Sequence, residues 1–358
     1  MDKKIIDNNV QIIAISKSER DYNEILKPLK AIYSQIEILN SNYPMRNYLR
    51  FALKLLKLFN RDKNKIKIII GDLWIENDLW LYFLRLFLDI KVIIKLKGDI
   101  LTETRDKITD LKKKNKYLKL IAEIINYYLA ILVLKNADAV IPVSNYLKNC
   151  YSFSDDWKVV NIPCDEERFK KKNYSPVLKR DHIKILAVTD FKYLRKIKGL
   201  KNFIEDYYSF LEVNNLQLDI AGGGYLLEDF KKRFINKKSI NYLGYVKDIE
   251  QLYYKYDLFV HFSYLDGYPN TVLEAQSSKV PVIVNNCCGM MEQIKNGKNG
   301  VIVDLKNKQE TTKKILQLVR SKRLRKKFGE NGLKNVKKNN DYKSIGSKLN
   351  GVVYSLLK

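Results

Sequence analysis

Two carboxylates eight positions apart, Asp266 and Glu274, are the side chains of this sequence best suited to do chemistry. A short apolar run, residues 258–260, precedes them, and a Gly-Tyr-Pro-Asn turn lies between them. This order predicts a strand, a tight loop and a helix. Pro269 suits the first helical turn, because the backbone N–H that proline lacks has no partner within the helix at that position.

The start of that helix is a predicted binding site for an anion. The backbone N–H groups of Asn270, Thr271 and Val272 would point out of its N-terminus, where the helix dipole favours a group such as pyrophosphate. Glu274 falls about one turn further along the helix. Because like charges repel, a carboxylate beside phosphate is better explained as an acceptor of hydrogen bonds from sugar hydroxyls. The combination predicts a nucleotide-sugar pocket, and the alternative is a solvated helix start with a capping aspartate.

The same stretch resembles the E-x7-E signature of the retaining glycosyltransferases of family GT4 (glycosyltransferase group 1), with Asp266 in the first acidic position and Glu274 in the second. Further motifs of that family occur in the expected order: Lys198-Gly199, Gly222-Gly223-Gly224, Gly244, Val280 to Val284, Cys288-Gly289 and Asn299-Gly300. The resemblance implies the GT-B fold, an α/β architecture of two Rossmann-like doubly wound domains with a cleft between them. It also implies that the second domain binds most of a nucleoside-diphosphate sugar.

The resemblance assigns roles to several cations and carboxylates. Lys198 matches the lysine that contacts the donor phosphates. Lys192 stands where the family usually has an arginine, and lysine cannot form the bidentate fork of arginine on phosphate. Arg195 and Lys196 are close enough in sequence to substitute, and the alternative for all of these is an ordinary solvated loop cation. Glu274 would bind the ribose hydroxyls.

Asp266 would face the transferred sugar or the reacting phosphate, with a reach one methylene shorter than the usual glutamate. Glycines let the backbone approach a ligand closely. The predicted donor-binding glycines are Gly222, Gly223, Gly244 and Gly267.

The first half of the chain departs from the family pattern. Ile15-Ser-Lys-Ser-Glu19 replaces the usual Gly-Gly loop, and neither of the two histidines, His182 and His261, fits the position of the histidine that contacts the donor sugar. Asp99 occupies the equivalent place, where it would hydrogen-bond a sugar hydroxyl or the acceptor. The alternative is a turn aspartate.

The predicted reaction is transfer of a sugar with retention of anomeric configuration to a glycan, lipid-linked or small-molecule acceptor. The resemblance implies a front-face displacement guided by the departing diphosphate, with Asp99, Lys198 and Asp266 as the catalytic candidates and neither metal nor cofactor. Three alternatives stay open: another GT-B enzyme such as a nucleotide-sugar 2-epimerase, a basic nucleic-acid-binding protein, and a catalytically silent partner subunit.

Composition narrows the choice of partner. The net charge of +26 divides into +12 for residues 1–180 and +14 for residues 181–358, so the basic excess is not a local nucleic-acid patch. Four cysteines without paired metal spacing favour a reduced, cytoplasmic setting. No signal peptide is apparent, and the apolar stretch Leu118–Leu134 is interrupted by polar residues, which predicts a buried helix and not a membrane span.

One region does concentrate positive charge. Residues 41–70 hold eight basic side chains and one acid, Asp62, and Arg50, Lys54 and Lys57 recur at helical spacing among leucines. Such a helix would bring the enzyme to the anionic inner face of a membrane. The alternative is a crossover helix packed on a sheet with a solvated lysine face.

Apolar runs that alternate with helical stretches predict two doubly wound sheets. The predicted helices of the first half include those near 44–60 and 77–88, and the predicted strands of the second half are Ile183–Val188, Leu216–Ile220, Asn241–Gly244, Leu258–Phe262 and Val280–Val284. The predicted domains are residues 1–175 on the acceptor side, residues 176–335 for the nucleotide sugar, and a helix over residues 336–358 that crosses back to the first domain.

Overall fold

The structure is a computed structural model that describes residues 10–16, 27–30, 36–40, 57, 65–72, 88–151, 153–169 and 182–357. It divides into two compact units. The first unit comprises Met1–Pro163 and Tyr342–Lys358, and the second unit comprises Cys164–Asp341.

The first unit contains a five-stranded parallel sheet in the order β2-β1-β3-β4-β5. Its strands are β1 (Val10–Ser16), β2 (Ile36–Asn40), β3 (Ile66–Asp72), β4 (Ile90–Leu96) and β5 (Ala139–Pro142). The described helices are α1 (Lys27–Lys30), α2 (Ile100–Lys113), α3 (Tyr117–Asn136), α4 (Asn145–Cys150) and, from the end of the chain, α11 (Tyr342–Ser355). The predicted helices near 44–60 and 77–88 lie outside the described residues, apart from Lys57 and Leu88.

The second unit contains a six-stranded parallel sheet in the order β11-β10-β9-β6-β7-β8. Its strands are β6 (Ile183–Val188), β7 (Leu216–Ala221), β8 (Ile240–Gly244), β9 (Leu258–His261), β10 (Val282–Asn285) and β11 (Gly300–Val303). Its helices are α5 (Leu194–Val213), α6 (Leu227–Arg233), α7 (Ile249–Leu252), α8 (Asn270–Ser277), α9 (Lys308–Arg320) and α10 (Lys322–Asn339). Both sheets confirm the predicted doubly wound α/β architecture.

Buried apolar strands explain why both sheets are parallel. Several strand residues are 0% exposed: Ile68 and Ile93 in the first unit, and Leu186, Phe259 and Ile283 in the second. Helices cover both faces of such a sheet, so its strands are continuous apolar runs and not alternating patterns.

The division between the units differs from the sequence-based boundaries. Cys164 already belongs to the second unit, where its N–H donates to the Asn340 carbonyl at 2.8 Å and its thiol lies 3.3 Å from the Ser277 hydroxyl. Helix α10 also stays with the second unit as far as Asn339, because Asn335 and the buried Val336 lie on its inner side near Gln276. The chain returns to the first unit at Tyr342.

Helix α3 contradicts one prediction. The stretch Leu118–Leu134 was expected to be buried, but its buried residues are Ala130, Val133 and Leu134, and Leu118 is 87% exposed. By length and composition alone α3 is long and apolar enough to cross a membrane. Polar interruptions do not predict burial here, because the buried residues of α3 all lie in its last two turns.

Candidate donor site of the second unit

The candidate site lies at the carboxyl ends of the strands of the second unit, where the strand order reverses. From β6 the chain proceeds to β7 and β8 on one side, and then returns to β9 on the other side of β6. Ligands of doubly wound sheets bind at such a switch point. The loops after β6 and β9 therefore meet there, and they carry the residues described next.

Asp266 lies in the loop after β9 with both carboxylate oxygens occupied. Lys196 Nζ is 3.3 Å from Oδ1, and His261 Nε2 is 3.1 Å from Oδ2. The side chain of Asp266 is 12% exposed. Burial alone would raise the pKa of the Asp266 carboxyl, but the charge of Lys196 and hydrogen bonds from His261 and Ser263 outweigh it and hold that pKa well below its usual range. Asp266 is therefore ionised and fixed in orientation.

His261 links Asp266 to the start of α8. Its Nδ1 is 3.3 Å from the Thr271 hydroxyl, while its Nε2 faces Asp266. A proton on Nε2 satisfies both contacts, because the ring then donates to the carboxylate and accepts from the threonine. The imidazole is 6% exposed, so it acts as a buried support for Asp266.

Hydrogen bonds from neighbouring elements hold the loop itself. Asn285, the last residue of β10, accepts from the N–H of Ser263 at 2.9 Å and donates to its carbonyl at 3.0 Å. The N–H of Gly289 donates to the Asp266 carbonyl at 3.0 Å, and the N–H of Tyr264 donates to the Arg195 carbonyl at 3.1 Å. The loop is fixed at both ends before any ligand binds.

The Lys198-Gly199 pair lies inside α5, where the glycine packs against the loop after β9 and the lysine is exposed. A Cβ on Gly199 would stand 2.5 Å from the Phe262 carbonyl carbon and 2.7 Å from the Ser263 nitrogen, so only glycine permits this close approach of α5 to the loop. The side chain of Lys198 is exposed and lies over the Tyr264 ring, 6.0 Å from its centroid. Lys196, two residues earlier, is the lysine that reaches Asp266.

Helix α8 begins without a side-chain cap. Pro269 is the N-cap residue in an extended conformation, with no side-chain hydrogen bond to the first turn, whereas the sequence predicted it inside that turn. Asn270 and Thr271 are half-buried, and Val272 has 0% exposure. Val272 therefore serves the core, and the first two residues form the accessible part of the predicted anion site.

Glu274 lies one turn into α8. The hydroxyl of the buried Tyr253 donates to its Oε2 at 2.8 Å, and among the described residues Oε1 accepts no hydrogen bond. Tyr253 also packs against Phe259 of the central strand β9. This anchor orients one carboxylate oxygen toward the protein and leaves the other able to accept from a ligand hydroxyl.

The glycine loop after β7 presses against the loop after β6. Gly222 and Gly224 both have φ of +143°, and a Cβ on Gly222 would lie 1.9 Å from the Thr189 carbonyl oxygen. Gly223 is half-buried, with its carbonyl accepting from the N–H of Phe191 at 3.0 Å. Gly222 also donates its N–H to the Gly244 carbonyl at 2.8 Å, and Gly244 has φ of +66°.

The remaining predicted residues have less direct contacts. Gly267 is buried in the loop beside Asp266. Lys192 is 62% exposed, with its Nζ 3.9 Å from Asp190. In the first unit, Asp99 caps α2: it accepts from the N–H of Thr102 at 3.2 Å and from the Tyr151 hydroxyl at 3.0 Å. Capping accounts for these contacts of Asp99, and its catalytic role stays a prediction.

Sequence reasoning underestimated two members of the site. It set His261 aside and gave Lys196 only as a substitute cation. A usable signal existed for His261, since it is the last residue of a strand that feeds the site and stands five residues before Asp266. Among the described residues, no group of three or more His, Cys, Asp or Glu side chains could hold a metal ion.

Residues 175–335 match the family model described as "Glycosyl transferases group 1". This segment is therefore similar to the group 1 glycosyltransferases. The match spans the Asp266 loop, the Lys198-Gly199 pair and the glycine loop, so the motifs that suggested the family are the ones that build the site.

Curated relatives agree with the family. The N,N'-diacetylbacillosaminyl-diphospho-undecaprenol alpha-1,3-N-acetylgalactosaminyltransferase of Campylobacter jejuni is 31% identical over 134 residues, which cover 37% of this chain and 35% of that protein. The capsular polysaccharide biosynthesis glycosyltransferase CapM of Staphylococcus aureus is 31% identical over 116 residues, 32% of this chain and 30% of CapM. The chain thus spans about a third of the length of each.

Solved structures extend the likeness to the whole chain at the level of the fold. HepE of Anabaena, crystallised with UDP and glucose, superimposes with a TM-score of 0.71 at 15% identity and covers 96% of this chain and 99% of its own. Sucrose-phosphate synthase of Thermosynechococcus elongatus gives 0.71 at 14% identity, with 98% and 99% covered. Their likeness over nearly the whole chain confirms the predicted GT-B fold.

Proposed function

We propose that this protein is a retaining glycosyltransferase that takes a sugar from a nucleoside-diphosphate sugar and transfers it to a glycan or lipid-linked acceptor. The observation that carries the proposal is the fixed, ionised Asp266, held by Lys196 and His261 beside the uncapped start of α8 at the switch point of the second unit. A carboxylate held ionised by two partners at the switch point of such a sheet is a candidate for ligand binding.

The donor would lie across the start of α8. The first-turn N–H groups and the dipole of α8 would bind the diphosphate, and Glu274 Oε1 would accept from a ribose hydroxyl. Lys198 is exposed and has a flexible stem, so it would swing onto the phosphates when the donor binds. HepE, with the same fold, was crystallised with UDP and glucose, which makes a UDP-sugar the first donor to test.

The transfer would proceed on one face of the sugar. The bond from the anomeric carbon to the diphosphate oxygen breaks, the acceptor oxygen forms its bond on the same face, and the acceptor proton passes to the departing diphosphate. Lys198 and the helix dipole would stabilise the charge that develops on that diphosphate. Asp266 would orient the sugar by accepting a hydrogen bond, because a carboxylate with so low a pKa is a weak base.

The acceptor belongs to the proposal as a class. The Campylobacter jejuni relative is named for a diphospho-undecaprenol substrate, and other relatives are named for capsular polysaccharide and O-antigen biosynthesis. We take from them a lipid-linked or glycan acceptor in polysaccharide or glycolipid biosynthesis. The setting would be cytoplasmic, at the inner face of the membrane. Metal independence is also proposed, and full activity in excess EDTA would support it.

Ligand-induced stabilisation is the direct test of the donor site. UDP, GDP and their sugars should raise the melting temperature, by the equivalent of about 2.7 kcal/mol at a hundredfold excess over the dissociation constant. Glu274→Ala should abolish most of that shift, and Glu228→Ala, at a side chain 71% exposed on α6, should leave it intact. If no nucleotide or nucleotide sugar shifts the melting temperature at millimolar concentration, the assignment of the donor site is wrong.

Product analysis then separates the reaction classes. Once a donor is found, incubation with a lipid-linked acceptor should give a glycoside with the anomeric configuration of the donor, measured from the proton coupling of the anomeric carbon. An inverted product would contradict the retaining mechanism. An altered nucleotide sugar formed without acceptor would instead indicate an epimerase.

A further inference from the structure

We infer that the exposed face of α3 in the first unit docks on an anionic lipid bilayer, with the helix lying in the plane of the surface. The face consists of apolar side chains at helical spacing, each at least 38% exposed: Leu118, Ile121, Ile124, Ile125, Tyr128 and Leu132. They recur every three or four residues, which places them on one side of a helix. This inference deepens the proposed function, since it names the surface that would bring the enzyme to a lipid-linked acceptor.

The opposite side of the same helix packs into the protein. Ala130, Val133 and Leu134 are buried, with exposures of 0%, 4% and 2%. At 100° per residue they lie roughly opposite the middle of the exposed face. Glu123, the acid of α3, turns toward α2, where Lys107 lies 4.0 Å away. The apolar face is therefore not interrupted by Glu123, and the opposite side of α3 is buried in its last two turns.

Both ends of α3 are tied to the first unit, which excludes a membrane span in this fold. Its N-terminus follows α2 after a three-residue turn, and the two helices pack along each other. Its C-terminus leads directly to β5, which pairs with β4, and the N–H of Asp138 donates to the Val92 carbonyl at 3.0 Å. A helix anchored on one side in this way presents its free side to a surface and lies in the interface.

Charge identifies the surface. Residues 105–119 carry seven basic and two acidic side chains, and Lys112, Lys113, Lys114 and Lys116 are exposed at the turn where the apolar face begins. Lys114 pairs with Asp110 at 2.7 Å, which leaves a large basic excess in the turn. Basic residues beside an apolar helical face are the combination that binds anionic headgroups and inserts among acyl chains. A second copy of this +26 chain would be repelled by the same lysines.

Vesicle flotation tests the inference on the full chain. Wild-type protein should float with vesicles of phosphatidylglycerol and phosphatidylcholine at 50 mM salt, and at least tenfold less with pure phosphatidylcholine or at 500 mM salt, because screening shortens with ionic strength. Leu118→Ser with Ile125→Ser should lower partitioning at least tenfold. The matched control is Val213→Ser with Ile235→Ser, two residues 84% and 76% exposed in the second unit, which should bind like wild type.

A second pair of variants isolates the charge. Replacing Lys112, Lys113 and Lys116 by Gln should weaken binding at least fivefold and flatten its salt dependence, whereas replacing the exposed Lys322, Lys326 and Lys327 of α10 by Gln should not. The inference is overturned if wild-type protein does not float at 50 mM salt, or if each test variant behaves like its control. A dimer dissolved by the Leu118 and Ile125 changes, seen by sedimentation velocity, would also overturn it.

The donor site provides an independent readout in all of these variants. None of the changed residues is assigned to the candidate site, and every variant should keep the nucleotide-induced rise in melting temperature. Loss of flotation with that rise intact is a failure of docking alone. Absence of any nucleotide effect, with flotation intact, would contradict the proposed function and leave the docking surface standing.

Discussion

Burial of Asp266 disfavours its ionised carboxylate, and two partners offset this cost and fix the orientation of the side chain. The Lys196 ammonium and the His261 ring occupy one oxygen each, so both the ionisation and the direction of the carboxylate are set before a donor arrives. Such preorganisation is what electrostatic catalysis needs. The shorter aspartate makes the supports more important, because it cannot adjust its position along an extra methylene.

Lys196 and Lys198 should give different signatures when replaced. Lys196→Met should lower turnover by orders of magnitude and also the free energy of unfolding by about 1–3 kcal/mol, because it removes a partner of a buried charge. Lys198→Ala should lower turnover with a stability change below about 0.5 kcal/mol, since its side chain is exposed. Urea denaturation and initial rates measure both, and Lys322→Ala, at an exposed lysine of α10, is the control.

The two outcomes distinguish support from ligand contact. Wild-type turnover in Lys198→Ala would reassign Lys198 to the solvated surface. A Lys196→Met variant with unchanged stability would show that the 3.3 Å contact contributes nothing in solution.

The lowered pKa of Asp266 predicts a pH dependence of stability. A carboxyl whose pKa is lower in the folded state stabilises the fold above its unfolded pKa of about 3.9, and this contribution is lost as pH falls toward the folded value. Asp266→Asn should therefore destabilise the protein at pH 7, and its difference from wild type should shrink below about pH 4. Urea unfolding at pH 7, 5 and 3.5 measures this. Asp206→Asn, in an exposed pair with Lys308, is the control.

Residue types and spacing predicted the carboxylate pair, but not the supports of Asp266. The pair is visible in the sequence because Asp266 lies in the loop after β9 and Glu274 lies in the helix that directly follows that loop. Lys196 and His261 reach the carboxylate from α5 and from the end of β9, so their relation depends on how those elements pack. A difference of two residues along α5, from Lys198 to Lys196, turns a side chain to another face, and a linear motif does not record which face meets the loop.

At the scale of elements, the approach of α5 to the loop after β9 places Lys196 and Lys198. Gly199 sets that distance, because its missing side chain lets the helix lie against the backbone of Phe262 and Ser263. The glycine of the Lys-Gly motif is thus a packing residue, and the lysines gain their positions from it.

Gly199→Ala should be destabilising although alanine favours helices. A Cβ 2.5 Å from backbone atoms forces α5 away from the loop, at a cost of about 1–3 kcal/mol, and should weaken nucleotide binding as well. Gly351→Ala, in α11 with no atom within 4 Å of its Cβ, is the matched control and should stabilise by about 0.5–1 kcal/mol. Thermal melts with and without UDP measure both effects. Equal stability of the two variants would contradict the close packing of α5.

Strands of the second unit were predictable because they are continuous apolar runs between glycine and helix signals. The predicted strands from Ile183 to Val284 recur in the structure within a few residues. The exposure of helix α3 was not predictable from the sequence, because an apolar composition fits both a buried helix and an exposed one. Only the packing within the first unit decides which turns of α3 are buried.

For the whole molecule, the chain enters the second unit at Cys164 and returns to the first at Tyr342. Helix α11 then completes the core of the first unit, where Ile345, Leu349 and Val352 pack with Ile12 and other strand residues. The end of the chain is therefore a structural part of the unit that its beginning forms, and the two units are joined by two connections.

Leu349→Ala tests this topology. Leu349 is 1% exposed, and removing a buried leucine side chain should cost about 2–5 kcal/mol of stability. The loss should appear in the first unit: amide hydrogen exchange should quicken in β3, β4 and β5 and stay unchanged in β6, β7 and β9. The neighbouring exposed Lys348→Ala should change neither. Faster exchange confined to the second unit would contradict the packing of α11 in the core of the first unit. The nucleotide-induced rise in melting temperature should survive in Leu349→Ala, because the residues assigned to the nucleotide all lie between Lys192 and Glu274 in the second unit.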